Sequence, residues 1–203
     1  MQQENRDQKD KHSFLEDIYA LLHDLVYILA CITLIFVFFV RLVSVDGSSM
    51  YPTLKHGDFL ALESNVIMGE LERGDIIVAR KLSFNNGEPI VKRVIATAGQ
   101  TVDIRYDEAG VGTVYVDGVA LDEPYINEVM QPKFVGGAGL NYPLTVEDDC
   151  IFVLGDNRNK SSDSRNPDIG QIRLDEVLGK VLFIAFPGLE NGSREFDRLG
   201  AVS

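Results

Sequence analysis

"GDIIVARKLSFNNGEPIVKRVIATAGQ", Gly74 to Gln100, holds two runs rich in Ile and Val on either side of a short polar segment. Short β-branched runs bounded by Gly, Asn and Pro read as strands, and "FNNGE", Phe84 to Glu88, reads as the hairpin that joins them. The same kind of run recurs as "DFLALES", "TVDIRY", "GTVYVDGVAL", "CIFVLGD" and "GKVLFIAF". The Asp117-Gly118 pair inside "VDGV" has the chemistry of a type I′ turn. From residue 44 onward the chain therefore reads as mainly β, with a barrel-like domain over 44–103 and 146–188. Between 104 and 145 the composition shifts to Asp, Glu, Gly and Pro, with "VGGAGLNYP" as a loop, and this part reads as an inserted smaller β segment. Residues 189–203 read as a C-terminal tail. Helix signals are few. In "RLDEVLGK", Asp175 and Glu176 are expected to open a short helical turn and Gly179 to close it.

The chain ahead of this region is of another kind. Leu25 to Val40, "LVYILACITLIFVFFV", carries no charge, and the run widens to 20–43 if His23, Asp24 and Arg41 sit at interfaces. At about 1.5 Å per residue these bounds give roughly 24 and 36 Å, which bracket a hydrocarbon core of about 30 Å. No small-x-small pattern follows before Val43, so 20–43 reads as an uncleaved transmembrane helix rather than a removed leader. Residues 1–19 read as a polar tail. Arg6, Lys9 and Lys11 on that side, against Arg41 and Lys55 beyond the helix, lean the N-terminus towards the cytoplasm.

The formal net charge is −12 over 203 residues, which argues against a nucleic-acid partner. The two cysteines, Cys31 in the apolar run and Cys150 far from it, make no disulfide framework. His12, His23 and His56 are scattered without metal-ligand spacing, so neither a metal nor another cofactor is expected. Composition leaves the oligomeric state open.

Three stretches carry candidate chemistry: "VDGSSMYPTL" (45–54), "IVKRVIATAGQ" (90–100) and "VLGDNRNKSSDSR" (153–165). A serine hydroxyl needs a base to become a nucleophile. Strand alternation puts Ile90, Lys92 and Val94 on one face and Val91, Arg93 and Ile95 on the other, so Lys92 has apolar neighbours. An unperturbed lysine is neutral in only about four molecules in ten thousand at pH 7. Lowering its pKa by about two to three units takes roughly 3 to 4 kcal/mol, within what burial supplies. Each residue also has a bland reading, a Gly-Ser turn and a solvated edge lysine. His56 in "LKHGD" is an alternative base. "GDNRNKSSDSR" is not an EF-hand loop, because Ser161 stands where the sixth position counted from Asp156 requires Gly. It reads better as a polar network in which Asp163 pairs with Arg165 and Ser161 or Ser162 orients a base.

Taken together and in this order after a membrane helix, the three stretches resemble the type I signal peptidases, membrane-anchored serine proteases that remove signal peptides from exported proteins. "GSSMYPTL" is similar to the family's nucleophile box, "RGDIIVA" to the strand box, "VKRVI" to the lysine box and "GDNRNKSSDSR" to the final box, with "GKVLF" following. The resemblance implies Ser49 as nucleophile, Lys92 as general base and Ser161 as the serine that bonds the lysine. It implies Asp163 and Arg165 as a supporting ion pair, Asp156, Asn157 and Arg158 as scaffold, and Ser48 as a bystander. Met50 and Leu54 are expected to line the pocket for substrate residue −1. Gly47 stands where many members carry a hydroxyl for the oxyanion hole, and glycine is also common there in Gram-positive members of the family. "ATAGQ" departs from the family at Ala96, Ala98 and Gln100, and Asn159 replaces the usual Asp.

The substrates implied are preprotein signal peptides, bound extended with small residues at −3 and −1, and the lipid bilayer is the implied second partner. The catalytic domain is expected on the extracytoplasmic side of the cell membrane. From Arg41 the extended chain cannot carry Ser49 more than about 28 Å, which keeps the hydroxyl near the bilayer surface. A self-cleaving Ser/Lys repressor is disfavoured by the membrane helix, and an inactive peptide-binding module by the presence of both Ser49 and Lys92.

Overall fold

The computed structural model describes residues 2–38, 40–132, 140–190 and 192–202. The chain divides into two compact units, Met1–Val40 and Arg41–Ser203. The first is one helix, α1 (Gln2–Phe38), whose window Glu16–Leu34 is long and apolar enough to cross a membrane. The helix takes in the polar residues expected as a tail, and it stops before the expected end at 43. Val40–Ser44, "VRLVS", is instead strand β1, because its β-branched residues find a sheet edge to pair with.

The second unit continues with β2 (Phe59–Ser64), β3 (Ile76–Arg80), β4 (Pro89–Thr97), β5 (Thr101–Tyr106), β6 (Gly112–Val116) and β7 (Val119–Ala120). Then come β8 (Leu144–Thr145), β9 (Cys150–Leu154), β10 (Ile172–Arg173), β11 (Val177–Phe186), β12 (Leu189–Glu190), β13 (Ser193–Arg194) and β14 (Gly200–Ala201). The main sheet runs β1-β2-β11-β3-β4-β9-β10, with β14 added on β11. A second sheet, β7-β6-β5-β8, is formed by strands between Thr101 and Thr145. The mainly β class read from the sequence is the observed one, with β1 and β10 at the two ends of an open main sheet.

The hairpin that decided the class is present. β3 and β4 pair antiparallel from Ile76 opposite Arg93 to Arg80 opposite Pro89. Asn85, Asn86 and Gly87 all take positive φ, a run of left-handed backbone that Asn and Gly tolerate best. Asp117 and Gly118 do the same between β6 and β7, as a type I′ turn requires. "RLDEVLGK" behaves differently. Leu174–Glu176 is one 3-10 turn, and Gly179 lies inside β11, paired with Ser64 on one side and Val78 on the other. The segment alternates too well with its neighbours in the sheet to stay helical. "VGGAGLNYP" falls partly outside the described residues.

The central strands β3, β4 and β9 are buried on both faces over most of their length, which is why they read as continuous apolar runs. In β3, Ile76 and Val78 enter a core cluster with Val45, Met50, Leu54, Leu60 and Val181, while Ile77 and Ala79 enter another with Val94, Val153 and Ile172. A third cluster joins the two sheets through Ile95, Phe152 and Leu154 on one side and Val102, Ile104, Val114 and Val116 on the other.

The C-terminal residues do not trail away. Ala201 of β14 pairs with Phe183 of β11, and Arg198 reaches back to the segment that precedes β2. Its guanidinium donates to Asp58 Oδ2 at 2.7 Å and to the Thr53 carbonyl at 3.2 Å. Asp58 is fully buried and also accepts the backbone N–H groups of Lys55 and Gly188, each at 2.8 Å. Removing the cation leaves a buried carboxylate without a counter-charge. Arg198→Ala is accordingly expected to lower the unfolding free energy by about 3 kcal/mol, read by denaturant unfolding in detergent.

Candidate active site

The three chemistry-bearing stretches meet at one cleft of about 580 Å³, whose walls include Val45, Ser49, Met50, Ile90, Lys92 and Ser162. The segment 45–54 leaves β1 and crosses the sheet edge as a series of turns, with the Tyr51 N–H donating to Ser48 O and the Leu54 N–H to Met50 O. Met50 and Leu54 are buried in one core cluster and pin these turns from below. Of the two residues expected to shape the pocket, Met50 lines it. Leu54 does not, because its side chain is spent in the core.

Lys92 lies on β4 opposite Ile77 of β3. It is 3% exposed, and its strand-face neighbours Ile90 and Val94 pack into a common apolar cluster. Its amine donates to Ser49 Oγ at 2.9 Å and to its own strand's Val91 carbonyl at 2.7 Å. A hydroxyl and an amine at this distance can exchange a proton directly. Burial of this kind disfavours the charged form of an amine. His56, the alternative base, is exposed at the far side of the same loop. Its Nδ1 accepts the Gly47 N–H at 3.3 Å and lies 3.3 Å from Asp46 Oδ1. Gly47 has φ +101, a backbone region that side-chain-bearing residues rarely adopt, so the turn itself favours glycine there.

The final box surrounds Ser49 from the other side. Asn157 donates its backbone N–H to Ser49 O and its side-chain Nδ2 to Ser48 O, each at 3.0 Å. Gly155 is close-packed: a Cβ there would collide with the Ser161 hydroxyl and the Ser49 carbonyl oxygen. Ser161 is buried, its hydroxyl set against Gly155 and close enough to the Asp163 carboxylate to help lower its pKa. Asp163 and Arg165 form the expected pair, Arg165 Nε donating at 2.8 Å and Nη2 at 2.9 Å, and Arg165 Nη2 also donates to Arg158 O.

Asp156 and Arg158 have partners that the sequence did not name. Asp156 receives Arg93 Nε at 2.9 Å and Nη2 at 2.8 Å, together with the Thr53 hydroxyl. Strand alternation had placed Arg93 opposite Lys92 but gave no partner for it. The guanidinium of Arg158 is held by both carboxylate oxygens of Glu123, from the 101–145 region. Tyr125 donates its hydroxyl to Glu123 at 2.9 Å, and its ring lies 4.0 Å from the Arg93 guanidinium carbon. "EPY" at 123–125 was the available signal, an acid and an aromatic in an otherwise loop-like segment. Among the described residues no group of His, Cys, Asp and Glu is arranged to hold a metal ion.

Comparison with known proteins places this geometry in context. A family model described as signal peptidase, peptidase S26, matches residues 18–186. Signal peptidase I T of Bacillus subtilis is 38% identical over 70% of this chain and 72% of its own length. Signal peptidase I S of the same organism is 34% identical over 87% of this chain and 91% of its own. A crystal structure of a signal peptidase I from Enterococcus faecalis aligns with 57% of this chain and 98% of its own at 35% identity, with a TM-score of 0.44.

The buried Asp163 is also a stability determinant with a definite pH dependence. Burial alone would push its carboxyl up, but the Arg165 guanidinium, the Gly155 N–H and the Ser161 hydroxyl together outweigh that and hold it below the usual carboxylate range. A depressed folded-state pKa adds stability that is complete above about pH 4 and is lost as pH falls through the folded value. Asp163→Asn is expected to cost about 3 to 5 kcal/mol at neutral pH by stranding Arg165. The gap to wild type should narrow steadily when urea unfolding is repeated at lower pH.

Proposed function

The chain belongs to the signal peptidase, peptidase S26, family, and from that premise we propose that Ser49 and Lys92 are the catalytic dyad of a membrane-bound endopeptidase that releases signal peptides from exported preproteins. The observation that carries the reading is the 2.9 Å contact between Lys92 Nζ and Ser49 Oγ in surroundings that leave the lysine 3% exposed. In this scheme the neutral amine takes the Ser49 proton as Oγ adds to the scissile carbonyl carbon. The carbonyl electron pair moves onto oxygen, and the tetrahedral intermediate collapses as the ammonium protonates the departing amine. A water deprotonated by the same amine then cleaves the Ser49 ester. The Ser49 N–H is the proposed oxyanion donor. Gly47 offers no side-chain hydroxyl for this, and its N–H is already bonded to His56.

Substrate is proposed to bind as an added strand. Residues 89–92 of β4 pair with β3 along one edge, whereas β9 joins β4 only from Arg93 onward, so the other edge of 89–92 faces the cleft. The opposite wall is the end of β1 and the residues after it, Val43 to Asp46. An extended peptide laid between these walls can form main-chain hydrogen bonds, and its alternate side chains point into the floor. Met50 forms part of that floor, which suits small residues at −3 and −1.

The apolar window Glu16–Leu34 is the proposed single-pass anchor, with the N-terminus cytoplasmic and the catalytic unit outside. A signal peptide's own apolar stretch resides in the bilayer, so enzyme and cleavage site are gathered at one surface.

Preprotein cleavage in detergent by Ser49→Ala and Lys92→Ala is the direct test. Each variant is expected to lose at least about 10³-fold in kcat, and wild-type kcat/KM should climb as pH rises and the amine deprotonates. A fully active Lys92→Ala protein overturns the proposal, whereas the same result for His56→Ala is expected.

A further inference from the structure

The Asn157 side chain is held in a way that acts on Ser49 without touching any reacting atom. The carbonyl of Ser48 and the N–H of Ser49 belong to one peptide unit. That unit is planar and trans, so its C=O and N–H point in opposite directions. Whatever fixes the Ser48 carbonyl therefore aims the Ser49 N–H. Asn157 Nδ2 donates to that carbonyl at 3.0 Å. Its backbone N–H, also at 3.0 Å, takes the next carbonyl, that of Ser49. The two peptide planes that flank the Ser49 Cα are thus clamped from one residue.

The donor is itself well secured. Asn157 is 3% exposed, its Oδ1 is buried, and Oδ1 has no hydrogen-bond partner among the described residues. Gly155, two residues earlier, allows the strand end to lie against the Ser49 carbonyl, and Arg158 Nε returns to the Gly155 carbonyl at 3.2 Å to close the loop.

We propose that Asn157 is a positioning residue for the oxyanion hole: by holding the Ser48 carbonyl it turns the Ser49 N–H towards the oxygen on which charge develops. This rests on the Ser49/Lys92 reading. It gives the chain a way to stabilise the oxyanion when residue 47 supplies no hydroxyl, since a single donor is worth most when its direction is fixed in advance.

The test uses the full-length protein in detergent with Asn157→Asp, which keeps the shape and replaces the donor by an acceptor facing the Ser48 carbonyl, and with Asn157→Ala. Cleavage of a preprotein is expected to fall about 10-fold to 100-fold in kcat, with KM within about twofold. Two inhibitors of one peptide sequence supply the decisive readout. A C-terminal aldehyde accepts Ser49 Oγ at its carbonyl carbon, the Ser49 proton passing to Lys92 and the carbonyl electron pair to oxygen, and so forms an oxyanion. The corresponding alcohol cannot. Asn157→Asp should weaken aldehyde binding by the factor lost in kcat/KM and leave alcohol binding unchanged. Equal weakening of both, or wild-type kcat per folded molecule with only a lowered unfolding midpoint, overturns the inference. Should Asn157→Asp fail to fold, Asn157→Ala is read by the same pair of inhibitors. Lys92→Ala runs alongside: an inactive Lys92→Ala with an unimpaired Asn157→Asp defeats this inference alone, whereas an active Lys92→Ala defeats the dyad on which it rests.

Discussion

The constraint on which everything else depends is the burial of one amine beside one hydroxyl. Taking an ammonium out of water is costly, and in the proposed dyad that cost favours the neutral amine that can accept a proton. The arrangement works only if neither side chain has anywhere else to go. β3 holds one side of β4 through the register Ile77 to Lys92, and Met50 and Leu54 anchor the loop that presents Ser49. The apolar core is therefore arranged to hold the amine at its edge, open to a cleft on one side and closed on the others.

Much of this was legible in the amino acids. β-Branched runs with Asn, Gly and Pro between them specify strands and tight turns locally, and Asn85, Asn86, Asp117 and Gly118 take the positive φ that their chemistry foretold. Lys92 could be placed between apolar neighbours by period alone. What the sequence hid was context-dependent. "VRLVS" continues an apolar run interrupted only by Arg41, and only the presence of β2 beside it makes it a strand. Gly179 looks like a helix terminator until β2 and β3 are seen on either side of it. Residues 193–201 have no strong pattern and are drawn back to the sheet by partners such as Asp58 and Phe183, far away in the chain. Long-range pairing of this sort leaves little trace in a local window.

The same limit hid the charge network. Arg93, Arg158 and Arg165 are all buried, and their carboxylate partners are Asp156, Glu123 and Asp163. Only the last pair lies close enough in the chain to be guessed. Ion pairs inside a protein are weak contributors to net stability, because desolvation offsets much of the Coulomb attraction. Their use is directional. A bidentate guanidinium and carboxylate fix two segments at a set angle, which an apolar contact does not do. Here Arg93 and Asp156 join β4 to the 153–165 segment, and Thr53 joins the 45–54 loop to the same carboxylate.

Glu123 and Tyr125 extend that reasoning to the second sheet. The Asp156–Arg158 loop carries the clamp on Ser48 and Ser49, and it would be free to swing if Gly155 were its only fixed end. Glu123 binds Arg158 through both oxygens, Tyr125 lies over the Arg93 guanidinium, and the Asn127 N–H donates to the Asp156 carbonyl at 3.2 Å. Three successive contacts from one short segment thus reach both arginines and the loop between the serine and the lysine. Burial and the neighbouring Glu123 carboxylate push the Tyr125 hydroxyl further above its ordinary value, and it donates to Glu123 as a neutral phenol. A loop-like, acidic stretch, unpromising as a site in its own right, becomes the outer brace of the loop that holds the proposed nucleophile. It does so through the planar geometry of guanidinium groups rather than through contact with any reacting atom.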